Sequence, residues 1–201
     1  MEINLFENEF GFSDSKLSFP SISACRAIVY QTANGLFGVH QASGPSPEKF
    51  EAFGRKFAKF VNDHRLGNGG GVNMYGITYL GIPNTGYGPR ARQEHYGEMG
   101  AMAKALQFTG SIRSYDLSPA LGQGEQGSAY VEVVVNGGGC DVFVSKWPTT
   151  SPAQAPFDPA RRDDHKFGLY NRDDFSSPKT MLVKMDADNP KKLEPWSVVT
   201  A

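Results

Sequence analysis

The apolar residues of this chain follow more than one rhythm, and each rhythm predicts a different element. Phe50, Phe53, Phe57, Phe60 and Val61 recur at helical spacing, while Lys49, Arg55, Lys56 and Lys59 lie largely off that stripe. Ser46-Pro47 just ahead supplies an N-cap and a first helical residue. An amphipathic helix of about four turns is expected, ending near Gly67. A second helix is expected from Ala91 to Phe108, with Tyr96, Met99, Met102, Ala103 and Leu106 as its buried face. Gly97 and Gly100 weaken it, and Gly110 ends it.

Other apolar stretches are short, β-branched and aromatic. Arg26 to Gln31 and Leu36 to His40 flank Ala33-Asn34-Gly35, whose residues tolerate positive φ, so the segment reads as a β-hairpin. Tyr130 to Val135 and Asp141 to Trp147, joined by Asn136-Gly137-Gly138-Gly139, read as a second. Val72 to Ile82 and Ile112 to Leu117 read as single strands. Residues 1–20 show only one short alternating piece, Ile3 to Phe6, and read as an edge strand or an irregular arm. The order is hairpin, helix, strand, helix, strand, hairpin. It predicts an α+β layered domain: a mostly antiparallel or mixed, sandwich-like sheet packed by two main helices.

The pattern changes after Trp147. Thr149 to Pro159 is rich in Pro, Ala, Ser and Thr; Arg161 to Asp174 is densely charged; only Thr180 to Met185 reads as a strand. Residues 1–148 are therefore read as the main α+β domain, and 149–201 as a Pro-rich and charged extension wrapping it, with Trp196 pinning the C-terminus.

Composition narrows the function classes. The chain has 201 residues, enough for one core. Its 20 Lys and Arg against 21 Asp and Glu argue against nucleic acid or an anionic membrane surface as a partner. No apolar run approaches the ~20 residues of a membrane helix. The start, MEINLFENEFGF, lacks the basic and apolar regions of a signal peptide. A reducing cytosol is the default compartment for a chain with two cysteines, Cys25 and Cys140. Export by a machine that needs no cleavable signal fits equally well. The sequence does not show whether the two cysteines pair.

Cys25 and His40 are the leading chemical candidates. They are fifteen residues apart, at the open ends of the first hairpin's two strands. A thiol beside an imidazole is the minimal equipment for nucleophilic attack on an acyl carbon, the imidazole promoting thiolate character. Ser23 and Ala24 are small. They leave room for a substrate and leave backbone amides free to act as an oxyanion hole. Against this stands the plain reading of Cys25 as a buried core residue.

Other motifs carry less. None of His40, His64, His95 and His165 falls in a metal-ligand spacing, and neither a metal nor any other cofactor is expected. Glu94, His95 and Glu98 read as a solvated helix face. The Gly67 to Gly71 run lacks the ending of a phosphate-binding loop and precedes a strand.

Ser23-Ala24-Cys25, an apolar strand, a Gly turn, a second apolar strand and His40 together resemble the catalytic hairpin of cysteine-dependent glutamine deamidases. These are the cytotoxic-necrotizing-factor catalytic domains and the CheD-like proteins. The order of elements from Ser46 to Trp147 resembles the CheD type over about two-thirds of the chain. The resemblance implies that Cys25 is the nucleophile and His40 the base. Ala24 stands where the families usually carry Gly or Ser. Ser18 and Ser21 are the nearest hydroxyls to a Thr of the CheD type. Ser21, Ser23, Ala24 and Gln41 are the implied oxyanion or substrate-binding residues; for Gln41 the solvent-facing reading is preferred to carboxamide binding. The residue that orients His40 is not identified.

The function implied is deamidation of a glutamine on a protein substrate, with transglutamination as a side activity. The chain's extra length over a compact CheD-type domain favours a bacterial effector or toxin. It would be made in the bacterial cytoplasm and delivered to a target cell by a signal-independent secretion system. The alternative is a non-catalytic adaptor or immunity-type binding module with Cys25 in its core. A papain-like protease or acyltransferase fits less well, since its His normally lies far later in sequence.

Overall fold

The computed structural model describes residues 2–5, 7–41, 47–64, 67, 70–81, 87, 89–121, 128–147 and 190–201. The first hairpin forms as its pattern predicts, from β4 (Arg26–Thr32) and β5 (Gly35–Gln41), and every residue in both strands is buried. A strand buried along its whole length must be covered on both faces. Here a second sheet covers one face and two helices cover the other.

The remaining strands are β1 (Glu2–Asn4), β2 (Glu9–Ser13), β3 (Lys16–Ile22), β6 (Gly71–Thr78), β7 (Ser111–Asp116), β8 (Ser128–Asn136), β9 (Gly139–Trp147), β10 (Lys191–Leu193) and β11 (Ser197–Thr200). They build a six-stranded sheet, β11-β7-β6-β4-β5-β2, and a five-stranded sheet, β1-β3-β8-β9-β10. Pairing is antiparallel except at β6–β7 and β1–β3. Helix α2 (Ala91–Ala105) is the crossover between the parallel strands β6 and β7. Helix α1 (Pro47–Asp63) packs beside α2, and a single turn, α3 (Ser118–Leu121), follows β7.

Two cores result, one on each face of the six-stranded sheet. Between the sheets, Leu17, Phe19, Val131, Val133 and Val142 meet Ala27, Val29, Tyr75, Ile77 and Tyr115. On the opposite face, Ile28, Tyr30, Phe37, Val39 and Met74 meet Phe50, Phe57 and Phe60 of α1 and Met99 and Met102 of α2. The α+β layered class holds: sheet, sheet, helices.

Several expectations are corrected. Residues 1–20 are neither a single edge strand nor an irregular arm. They supply β1, β2 and most of β3, and β3 lies inside the five-stranded sheet between β1 and β8. Pro20 hides this in the sequence, because proline is rare inside a sheet. The structure places it at a β-bulge where the register shifts between Phe19 and Ile22, with Ser21 in the left-handed region at φ 60°. On α2 the buried residue of the first turns is His95, not Tyr96, which is exposed. The strand expected at Thr180 to Met185 lies outside the described residues. The last residues enter both sheets, β10 against β9 and β11 against β7. Between them, the Trp196 amide donates to the Ser114 carbonyl and its ring meets Tyr96.

Candidate functional site

The β4–β5 register decides what Cys25 and His40 can do. Ala27 pairs with His40 and Arg26 with Gln41. Cys25 lies two residues before Ala27 and packs in the same inter-sheet core. Cys25 and His40 therefore share one face of the sheet as diagonal neighbours, a relation within reach of long side chains. Both are buried, Cys25 at 7% exposure and His40 at 0%.

The N-terminal arm orients the imidazole. His40 Nδ1 lies 2.9 Å from the Leu5 carbonyl oxygen. A carbonyl only accepts, so Nδ1 carries the proton and Nε2 is left as the basic lone pair. Among the described residues Nε2 has no hydrogen-bond partner. The Asn8 amide also donates to the His40 carbonyl, which ties the arm to β5 from both ends. Burial pushes the His40 pKa down to about 4, with the Leu5 bond offsetting it only in part. The ring is therefore neutral at physiological pH. Glu9 faces His40 across β2 and is buried too.

Cys25 is held by its main chain. Thr78, fully buried at the end of β6, donates from Oγ1 to the Cys25 carbonyl at 3.0 Å. The bulge at Pro20-Ser21 and the bend at Ser23-Ala24 lead into it. Ser23 is exposed while Ser21 and Ala24 are half-buried, so these small residues lie where the chain emerges beside Cys25. Ser18 is fully buried, and its Oγ has no partner among the described residues.

Gln41 is not a solvent-facing residue. It is 3% exposed and, one position from His40, lies on the helix-facing side with Val39 and Phe37. There it is opposite Arg26, and its Oε1 and Arg26 Nη1 both lack partners among the described residues.

That face carries a polar cluster which the helical pattern misreads as solvated. Arg26 is 2% exposed. Its Nε and Nη2 grip the two Glu98 carboxylate oxygens, each at 2.7 Å. Its guanidinium stacks 4.3 Å from the centre of the Tyr87 ring, and the Tyr87 hydroxyl donates to Glu98. His95, 1% exposed, has Nδ1 3.4 Å from the Tyr87 hydroxyl and Nε2 3.0 Å from Ser114 Oγ. Glu94 alone of the three acidic and imidazole residues on this helix faces solvent. The visible signal was Arg26 itself, a charge inside an otherwise apolar strand, which demands a buried partner.

Neither Cys25 nor Cys140 is in a disulfide among the described residues. Burial pushes the Cys140 thiol up to about 11, which leaves it a poor nucleophile. Among the described residues no three His, Cys, Asp or Glu side chains come together as a metal-binding group, and no helix is long and apolar enough to cross a membrane. Comparison with protein-family models and with curated proteins finds no match.

Proposed function

We propose that this protein is a cysteine-dependent protein-glutamine deamidase. The observation that carries the reading is the state of His40. Its Nδ1–H is fixed by the Leu5 carbonyl, and its Nε2 lone pair has no partner among the described residues, on the sheet face that also holds Cys25. A buried imidazole acceptor left unpaired is costly in a merely structural role, and it is what a general base requires.

In this reading His40 Nε2 takes the Cys25 thiol proton as sulfur attacks the carboxamide carbon of a substrate glutamine. Backbone amides beside Ser23 and Ala24 hold the tetrahedral oxyanion. The imidazolium returns its proton to the leaving nitrogen, and ammonia departs as the C–N bond breaks. Water, activated by the same nitrogen, then hydrolyses the thioester and leaves glutamate. An amine in place of water gives transglutamination. The neutral-to-anionic change on the substrate is the output, acting through local electrostatics. A bacterial effector acting on a protein of a target cell is the setting this chemistry suits. The decisive experiment is incubation with a candidate protein. Release of ammonia and a mass gain of about one dalton at a glutamine, both absent with Cys25→Ser, support the reading; neither appearing with any substrate tried and a wild-type Cys25 inert to iodoacetamide would overturn it.

The adaptor or immunity-type module is favoured by one observation, the burial of both Cys25 and His40. It predicts equal, slow alkylation of Cys25 and Cys140.

A further inference from the structure

We infer that Thr78 is a positioning residue for the Cys25 nucleophile, acting through the Cys25 carbonyl. The inference rests on the deamidase reading. The β4–β6 ladder pairs Ala27 with Ile77 and ends there, so the Cys25 carbonyl lies just past the last backbone rung. Thr78 bonds that carbonyl from its side chain, at 3.0 Å, and is itself fully buried.

This bond sets the plane of the peptide between Cys25 and Arg26. On the far side of that peptide, Glu98 and Tyr87 hold the Arg26 side chain against the helix layer. Cys25 itself packs into the inter-sheet core. His40 occupies the same sheet face, diagonal to Cys25 in the β4–β5 register. Small displacements of a nucleophile from its base cost large factors in rate, so the hydroxyl matters to chemistry although it never meets a substrate.

The test uses the full chain and iodoacetamide, with alkylation of Cys25 and Cys140 followed separately by peptide mass. Thr78→Val keeps the shape and removes the hydroxyl. It is expected to slow Cys25 alkylation about tenfold and leave Cys140 unchanged, while Thr78→Ser restores most of the rate. His40→Ala is expected to slow Cys25 in the wild-type background and to add little to Thr78→Val, because the thiol and imidazole are already uncoupled. A folded Thr78→Val labelled like wild type, or a His40→Ala effect of equal size in both backgrounds, overturns the inference while the deamidase reading stands. If Thr78→Val does not fold, Thr78→Ala, which adds no methyl against the carbonyl, answers the same question. A wild-type Cys25 no faster than Cys140 removes the deamidase reading and the positioning role together.

Discussion

The six-stranded sheet carries a buried histidine against each of its faces, His40 toward the other sheet and His95 toward it from α2. Burial drives both pKa values to about 4, so depth and protonation do not tell them apart. Hydrogen bonding does. His95 has a partner at each ring nitrogen, Tyr87 and Ser114. Among the described residues His40 has one, the Leu5 carbonyl. A histidine with both nitrogens engaged is a structural post, while one with a single nitrogen engaged keeps the other for work. The ion pair follows the same division. Arg26 and Glu98 sit beside His95 on the helix-facing side, while on the opposite face the buried Glu9 pairs with His40 across β2–β5.

The sharpest way to break this contrast is to delete each ring. His40→Ala is expected to lower ammonia release by a factor of about 10²–10⁴, the usual contribution of a general base. His95→Gln is expected to lower the urea midpoint while folded molecules keep their turnover. If both variants lose turnover equally, the division between the faces is wrong.

Next in size is the buried pair. Glu98→Gln leaves Arg26 without its counter-charge and is expected to cost about 3–5 kcal/mol in urea unfolding. Glu51→Gln, in an exposed i,i+4 pair with Arg55, is the control and is expected to shift the midpoint little.

The shared pKa depression sets the acid response. Both rings titrate near 4 when folded and near 6.5 when unfolded, so the unfolded chain binds more protons between those values. Stability from each ring is complete above about pH 6.5 and is lost as pH falls through about 4, on the order of 3 kcal/mol per ring at most. Chemical unfolding followed from pH 7 to 4.5 measures the loss, and His95→Gln is expected to remove about half of it. The acid limb of the deamidation rate is expected below pH 5, not near 6.5, because His40 stays neutral.

The smallest effects come from two glycines, one per face. A Cβ at Gly38 would lie 2.5 Å from Leu17 Cδ1 and 3.0 Å from Leu5 Cδ1. One at Gly76 would lie 2.6 Å from Met99 Sδ and 2.9 Å from His95 Cε1. Each alanine is expected to cost about 1–3 kcal/mol by overpacking. Gly38→Ala is also expected to lower turnover, since it presses on the residue whose carbonyl holds His40, while Gly76→Ala leaves turnover per folded molecule intact.

By itself the sequence determined most of the local elements and the hairpin that puts Cys25 and His40 near one end of the β4–β5 pair. Helical and strand periods are short-range, and a tight turn sets hairpin register, so Ala33-Asn34-Gly35 was enough to bring the open ends of β4 and β5 together. What depended on distant partners was decided only in the folded molecule. His95 turned inward because Gly76, on another element, leaves room for it. Gln41 went under the helices because β5 is covered on both faces. β3 was hidden because Pro20 sits at a bulge that no local pattern announces. Above all, the group that orients His40 is a main-chain carbonyl, and every residue has one. Leu5 was no more marked than its neighbours until the fold laid the N-terminal arm beside the imidazole.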